Sequence, residues 1–409
     1  MHEDTERTTI VGPLTGLRVL DLGQVWAGPL LGLYLADFGA QVIKVESLAR
    51  NAIQGGARPT PPATDPSAYD SLVRNRQSVS LNLTNPAGQE IFRRLVEVSD
   101  VLFENFSPRG ARKLGLDYAI LREINPRLIM ASLSAAGQTG PWSDVMTYGP
   151  SLTALYGIKS LLGYPGDTAI QEDVADLDPT AATYALVAIL AALEARDVSG
   201  VGQFIDMAQG EAGAAAMAEA FIEYEMNGRI MGPMGNRHRT MAPHGVYQTA
   251  GNDKWITIAV DSEHSWRALC TILNATELQS EARFADTFGR LQNVEELDAR
   301  LSALTGAWDA EQLSDYLQAA GVASYPVIAP LQTFTDRQLA FRREHAIVDV
   351  EGVTAGQVFT ATPWLLSASP PHIYASPRPV GADNAFVFKD VLGLTEKEIS
   401  AIKAAGGLA

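Results

Sequence analysis

The sequence predicts an α/β fold: a large Rossmann-like domain with a mainly parallel sheet, built from both chain termini, plus a smaller α+β domain. Three observations predict it. Short β-branched runs alternate with helical apolar spacing through the first half of the chain. The first two of these runs are joined by a glycine-bearing turn and a helix, which makes a βαβ unit. Beyond about Met226 the alternation stops, and glycine and proline punctuate short segments. At 409 residues, 46% hydrophobic and 19% charged, the chain has the length and composition for two globular domains.

Leu17 to Leu22 reads as the first strand, Gly23 to Pro29 as the turn, Leu30 to Phe38 as a helix with Gly39 at its C-cap, and Val42 to Glu46 as the second strand. The turn carries no Gly-x-Gly-x-x-Gly and no Walker-type lysine, which argues against ordinary dinucleotide or ATP binding. Residues 52–70 hold four prolines and two adjacent glycines, a loop long enough to act as a flap. Val79 to Leu83 alternates into a strand, Pro86 opens a helix to about Val98, and Val101 to Glu104 is a strand. A helix near Tyr118 to Ile124 leads to a strand at Leu128 to Leu133.

Asp178-Pro179 then opens a segment with no charge from Pro179 to Leu193. Aspartate followed by proline predicts an N-cap with Pro at the first helical position. A helix apolar on all sides is expected to be buried in packed protein. A carboxylate at its start is either a capping residue or, with support from elsewhere in the chain, a nucleophile. Phe204 to Met207 follows as a further strand, and Glu211 to Asn227 as a connecting helix. Trp255 to Val260 reads as a strand, and Trp266, Leu269, Cys270 and Leu273 form a helical stripe that belongs to a core. The chain ends on a helix beginning near Thr395. The expected organisation is residues 1–210 for the first part of the large domain, 211–225 for the connecting helix, 226–331 for the small domain, and 332–409 for the return and the rest of the large domain.

A net charge of −16 argues against nucleic acid or an anionic membrane as the main partner. One cysteine, Cys270, excludes a disulfide within the chain and a cysteine-rich metal site. Met1 to Thr9 is charged and lacks the apolar core of a signal peptide, and the run to Leu193 is short for a membrane span. These features predict a cytoplasmic protein. His238 and His244 lie six apart with no third ligand at metal spacing, so no metal is expected. No Gly-x-Ser-x-Gly supports a hydrolase.

Several segments in this order resemble the class III CoA-transferases, the CaiB/BaiF family, over nearly the whole chain. They are Leu14 to Asp21, Ala27-Gly28-Pro29, Gly39 to Glu46, Asn75 to Val79, Glu104-Asn105-Phe106, Gly200 to Asp206, and Gly235-Asn236 with Pro243 to Tyr247. The resemblance implies that Asp178 is the catalytic nucleophile, with Asp176 and Asp173 as nearby rivals. It implies a reaction through an aspartyl anhydride and an aspartyl-CoA thioester, in which an acyl-CoA gives its CoA to an acceptor carboxylic acid. Coenzyme A is then a substrate, with no permanently bound cofactor, and the family arrangement is an interlocked homodimer. Carried over by position, CoA contacts fall on Trp26, Ala27, Leu81, Asn82, Leu83, Thr84, Asn105, Phe106, Ser107, Lys113, and Met146 to Gly149, which includes Tyr148. Gly232 to Gly235 is a candidate covering loop.

The chain also departs from that pattern. Ser47 and Thr84 replace basic residues of the formyl-CoA transferase pattern, leaving Arg74 or Arg76 to hold phosphate or to form a solvated charge pair. Trp26 stands where that enzyme has a glutamine, which argues against a formyl or oxalate substrate, and Gly149 replaces an acid. Tyr148 replaces the histidine of the racemase pattern, and a tyrosine is a poorer base near neutral pH. Racemisation is therefore the alternative, together with a silent CoA-binding protein. Trp26, Tyr148 and Tyr156 point to a larger or more apolar acyl group.

Overall fold

Alternating strands and helices build the first of two units. The computed structural model describes residues 12–47, 71–166, 176–348 and 357–408. The first unit draws on Met1–Ile158, Glu172–Ile222 and Gln338–Ala409, and the second on Lys159–Gln171 and Glu223–Arg337. The expected flap over residues 52–70 and the rival Asp173 lie outside the described residues.

In chain order the first unit contains β1 (Arg18–Asp21), α1 (Ala27–Asp37), β2 (Gln41–Glu46), β3 (Gln77–Ser80), α2 (Pro86–Glu97) and β4 (Val101–Glu104). Then come α3 (Pro108–Lys113), α4 (Tyr118–Ile124), β5 (Ile129–Ser134), α5 (Gly149–Leu155), α6 (Leu177–Ser199), β6 (Phe204–Ala208) and α7 (Gln209–Ala214). The strands form one parallel sheet in the order β3-β2-β1-β4-β5-β6. Alternate strand residues enter opposite faces. Val19, Val42, Val101 and Ile129 pack with Leu31 and Leu35 of α1 and Ala185 and Ile189 of α6. Leu20, Ile43, Leu102 and Met130 pack with Ile91 and Leu95 of α2. Both faces are covered, which is why the strands read as continuous apolar runs.

The structure corrects several expectations. The third strand lies at Gln77–Ser80, not at residues 79–83. Its polar residues hide it, because its outer edge is satisfied by the far end of the chain. Asp383 accepts from the Ser78 N–H at 2.9 Å, and Asn384 from the Ser80 N–H at 2.9 Å. The C-terminal part adds side chains to the core, including Val387 and Phe388, but no described strand to the sheet. Its strands β10 (His345–Val348) and β11 (Gln357–Thr360) pair only with each other, antiparallel. The helix near Thr395 is present as Glu396–Ala404, capped by the Thr395 hydroxyl.

The helix α6, which carries the uncharged segment Pro179–Leu193, is not buried all round. Ala181, Ala182, Ala185 and Ile189 are buried, whereas Tyr184, Val187 and Leu190 are 52%, 63% and 39% exposed. By length and composition α6 could cross a membrane, but its buried stripe packs against α1 and β5. The predicted connecting helix is divided. The buried α7 passes through a 3₁₀ turn at Ala215–Met217 into α8 (Ala218–Asn227), which buries no residue.

The second unit has a three-stranded antiparallel sheet of β7 (His244–Gln248), β8 (Trp255–Ala259) and β9 (Ala323–Pro326), in the order β7-β8-β9. Its core holds Tyr247, Ile256 and Ile258 together with Trp266, Leu269, Cys270 and Leu273, the stripe read from the sequence.

Candidate active site

Strand order decides where a site can form. The sheet reverses direction of build between β1 and β4, and in such sheets the loops leaving the carboxyl ends diverge and open a crevice. The residues after β1 (Gln24, Val25), after β4 (Asn105, Phe106, Ser107) and at the end of β5 (Ser134, Ala135) line a cavity of about 390 Å³ in the first unit. Asp178, Gln209 and the segment Val145 to Gly149 complete its wall.

Asp178 is 7% exposed. It is not the cap of α6, as the Asp-Pro pair predicts. The helix begins two residues earlier than that, at Leu177; Asp176 holds the cap position with helical φ and ψ and no side-chain cap bond, and Asp178 falls in the first turn. Its Oδ1 instead accepts the backbone N–H of Ala27, the first residue of α1, at 3.3 Å. Burial pushes the Asp178 carboxyl above the ordinary aspartate range, and the Ala27 N–H opposes that shift. Asp176 is exposed and does not line the cavity.

The turn that carries Ala27 has an unusual backbone. Val25 sits at φ 63°, a left-handed conformation that a β-branched residue rarely adopts. Gly23 and Gly28 lie back to back: a Cβ on Gly28 would come 2.3 Å from the Gly23 Cα. On the other side, the Asn105 side chain brackets Gln24, accepting from its N–H at 2.7 Å and donating to its C=O at 2.8 Å. Glu104, fully buried at the end of β4, accepts from the Phe106 N–H at 2.6 Å. Burial raises its carboxyl to about 7, against the opposing hydrogen bonds of Ser132 and Phe106.

Of the positions predicted to contact CoA, Asn105, Phe106, Ser107, Met146, Tyr148 and Gly149 line the cavity with Asp178. Trp26 is 40% exposed and adjoins Ala27 on the same turn. The remaining positions lie elsewhere. Leu81 and Leu83 are in the core beside α2; the Asn82 side chain accepts from the Thr84 hydroxyl, and the Asn82 backbone N–H donates to the Gly407 C=O at 2.9 Å. Lys113 is exposed in the last turn of α3.

Neither role read for Arg74 and Arg76 survives. Arg74 is 1% exposed and pairs with Asp37 at 2.7 Å, and Arg76 is 4% exposed and pairs with Asp21. Both are buried partners of carboxylates, neither solvated nor open to a phosphate.

Gln24, Val25, Ser134 and Gln209 are lining residues that the sequence reading missed. Each is set by long-range placement. Gln209, for example, is anchored by its amide donating to the Leu133 C=O at 2.6 Å. In the second unit the His238 and His244 rings lie 5.2 Å apart and tilted by 34°, lining a separate cavity of about 230 Å³. No cluster of three potential metal ligands occurs among the described residues.

The sequence and the fold have counterparts in known proteins. The family described as CoA-transferase family III matches residues 14–384. A succinyl-CoA–D-citramalate CoA-transferase of Chloroflexus aurantiacus is 32% identical over 403 residues, which is 96% of this chain and 97% of that one. A succinate–glutarate CoA-transferase of Agrobacterium fabrum is 33% identical over 88% of this chain and 90% of its own. A solved CaiB/BaiF family protein from Brucella suis superposes with a TM-score of 0.84 at 30% identity, covering 93% of this chain and 100% of its own. The protein described above, with its parallel sheet and its crevice at the β1/β4 reversal, belongs to CoA-transferase family III, the CaiB/BaiF enzymes.

Proposed function

We propose that the enzyme moves CoA from an acyl-CoA thioester to an acceptor carboxylic acid, with Asp178 as the nucleophile. One observation carries this reading: a buried carboxylate lines the cavity with one oxygen already engaged by a backbone N–H. Oδ2 of Asp178 attacks the thioester carbonyl, and the C–S bond breaks to give a mixed anhydride and CoA thiolate. The thiolate then attacks Cγ of Asp178 and expels the donor acid, which leaves an aspartyl-CoA thioester. During that attack negative charge develops on Oδ1, where the Ala27 N–H already donates. The acceptor carboxylate attacks the same carbon and releases thiolate, which attacks the new acyl carbonyl, forms the product thioester and frees Asp178. Thioester energy is carried through every step.

The cavity-lining Asn105 to Ser107 and Met146 to Gly149 would hold the thioester end of CoA. Trp26 and Ala27 would border it, and the Leu81 to Thr84 segment and Lys113, away from the cavity, would meet the distal nucleotide. The activities named for the relatives support succinyl-CoA and glutaryl-CoA as the first donors to test. An interlocked homodimer is the assembly we favour, and the exposed apolar stripe of Tyr184, Val187 and Leu190 on α6 supports a covered face. We place the enzyme in the cytoplasm.

The test is incubation with a panel of CoA thioesters, reduction with borohydride and peptide mass mapping. Reduction of an aspartyl thioester to the alcohol on the Asp178 peptide is the expected result. Wash-in of α-deuterium without any acceptor and without an adduct would instead identify a racemase.

A further inference from the structure

Three buried ionised side chains spend their hydrogen bonds on the backbone of the turn that reaches Asp178. Asp21, at the end of β1, is fully buried; its Oδ1 accepts the Gly23 N–H at 2.7 Å and the Lys44 ammonium at 3.1 Å. Lys44, 1% exposed on β2, also donates to the Gly23 C=O. Arg76 pairs with Oδ2 of Asp21 and donates to the Pro29 C=O and, at 2.5 Å, to the Leu72 C=O. Helix α1 rests on the group, since a Cβ on Gly32 would come 2.9 Å from both the Arg76 guanidinium carbon and Asp21 Oδ2. With Asn105 bracketing Gln24 from the opposite side, polar backbone groups of Gly23, Gln24 and Pro29 are all tied to buried side chains.

Two physical points separate this from ordinary core packing. Burying ionised groups is expensive, and an apolar cluster of the same volume would stabilise the sheet as well or better. The bonds also converge on a turn whose Val25 is held in a strained left-handed conformation, which persists only where its surroundings over-determine it. We propose that Asp21, Lys44 and Arg76, with Asn105, are positioning residues for Asp178. They lock the Gly23–Pro29 turn in the conformation that presents the Ala27 N–H to Oδ1, which leaves Oδ2 as the attacking atom. This rests on the transferase reading above.

The test compares Lys44→Met, Val25→Gly and the double variant in the full-length enzyme, using single-turnover formation of the Asp178 adduct and the Kd of the thioester. Lys44→Met is expected to slow adduct formation by about 10- to 100-fold, the scale of a misplaced reacting group, with the thioester Kd nearly unchanged. Glycine adopts the left-handed conformation without strain. Val25→Gly is therefore expected to recover part of that rate in the Lys44→Met background. Such non-additivity is foreign to a merely structural role. A Lys44→Met enzyme that melts earlier but forms adduct at the wild-type rate would overturn the proposal, as would two effects that simply multiply. If Lys44→Met does not fold, Arg76→Lys, which keeps the charge but loses the fork to Pro29 and Leu72, takes its place in the same cycle. Absence of adduct in the wild type with every thioester would instead sink the transferase reading. The clamp would then be judged by amide exchange in the 22–30 peptide: faster exchange in Lys44→Met upholds it, and wild-type protection in the variant refutes it.

Discussion

The backbone N–H of Ala27 meets Oδ1 of Asp178 at 3.3 Å, joining two residues 151 positions apart in the chain. The contact ties the start of α1 to the first turn of α6, and on the proposed reading the second carboxylate oxygen is the attacking atom. Replacing Asp178 with Ala should lower kcat by about 10⁴-fold or more, the scale on which covalent nucleophiles are lost. CoA binding, measured by calorimetry, should persist, because the other cavity-lining groups remain.

Burial raises the Asp178 carboxyl above its ordinary value. Only the ionised form attacks, so single-turnover adduct formation should rise with pH through a midpoint above the usual aspartate range and then level off. A rate that is flat across that range, with the donor thioester saturating, would count against Asp178 as the titrating group.

Glu104 gives the opposite sign for stability. Its carboxyl is raised from 4.5 to about 7, so the folded state binds this proton more tightly than the unfolded chain does. The linked stabilisation is full below pH 4.5 and is lost as pH rises through 7, by about 3 kcal/mol at most. Glu104→Gln should therefore match the wild type in urea melts at pH 4 and exceed it at pH 8.

Gly28→Ala places a Cβ against the Gly23 Cα, where no flexible side chain can yield. The expected cost is about 1–3 kcal/mol of stability in denaturant melts. A larger proportional loss in kcat should accompany it, because the distortion falls on the residues flanking Ala27.

The thiol of Cys270 is buried in the core of the second unit, and burial pushes it up to about 12. It should resist a thiol reagent in the native protein at pH 8 and react fully in denaturant. Its reactivity then serves as a local unfolding probe for that unit.

Most of the sheet was legible because both its faces are apolar and its helices keep a clear period. What escaped depends on partners distant in sequence. The strand Gln77–Ser80 looks polar until Asp383 and Asn384 cover its edge. Asp178-Pro179 carries the local signature of a cap, yet its carboxylate is taken by a residue on another helix. Arg74 and Arg76 looked like surface charges because nothing near them in sequence announces Asp37 and Asp21 as buried partners. The reading of Asp178 as the nucleophile rests on family resemblance. Burial within the cavity wall is what distinguishes Asp178 from Asp176 in space.

The first unit is assembled from stretches far apart in the chain: the edge of β3 is covered by Asp383 and Asn384, and Val387 and Phe388 join its core. A ribosome delivers those residues after every strand of the parallel sheet. The three-stranded unit lies wholly upstream of them and can finish while synthesis continues. The first unit must wait until residues 383–388 have been made, holding an uncovered strand edge in the meantime. Nascent chains stalled after about residue 340 should therefore be the species that chaperones retain.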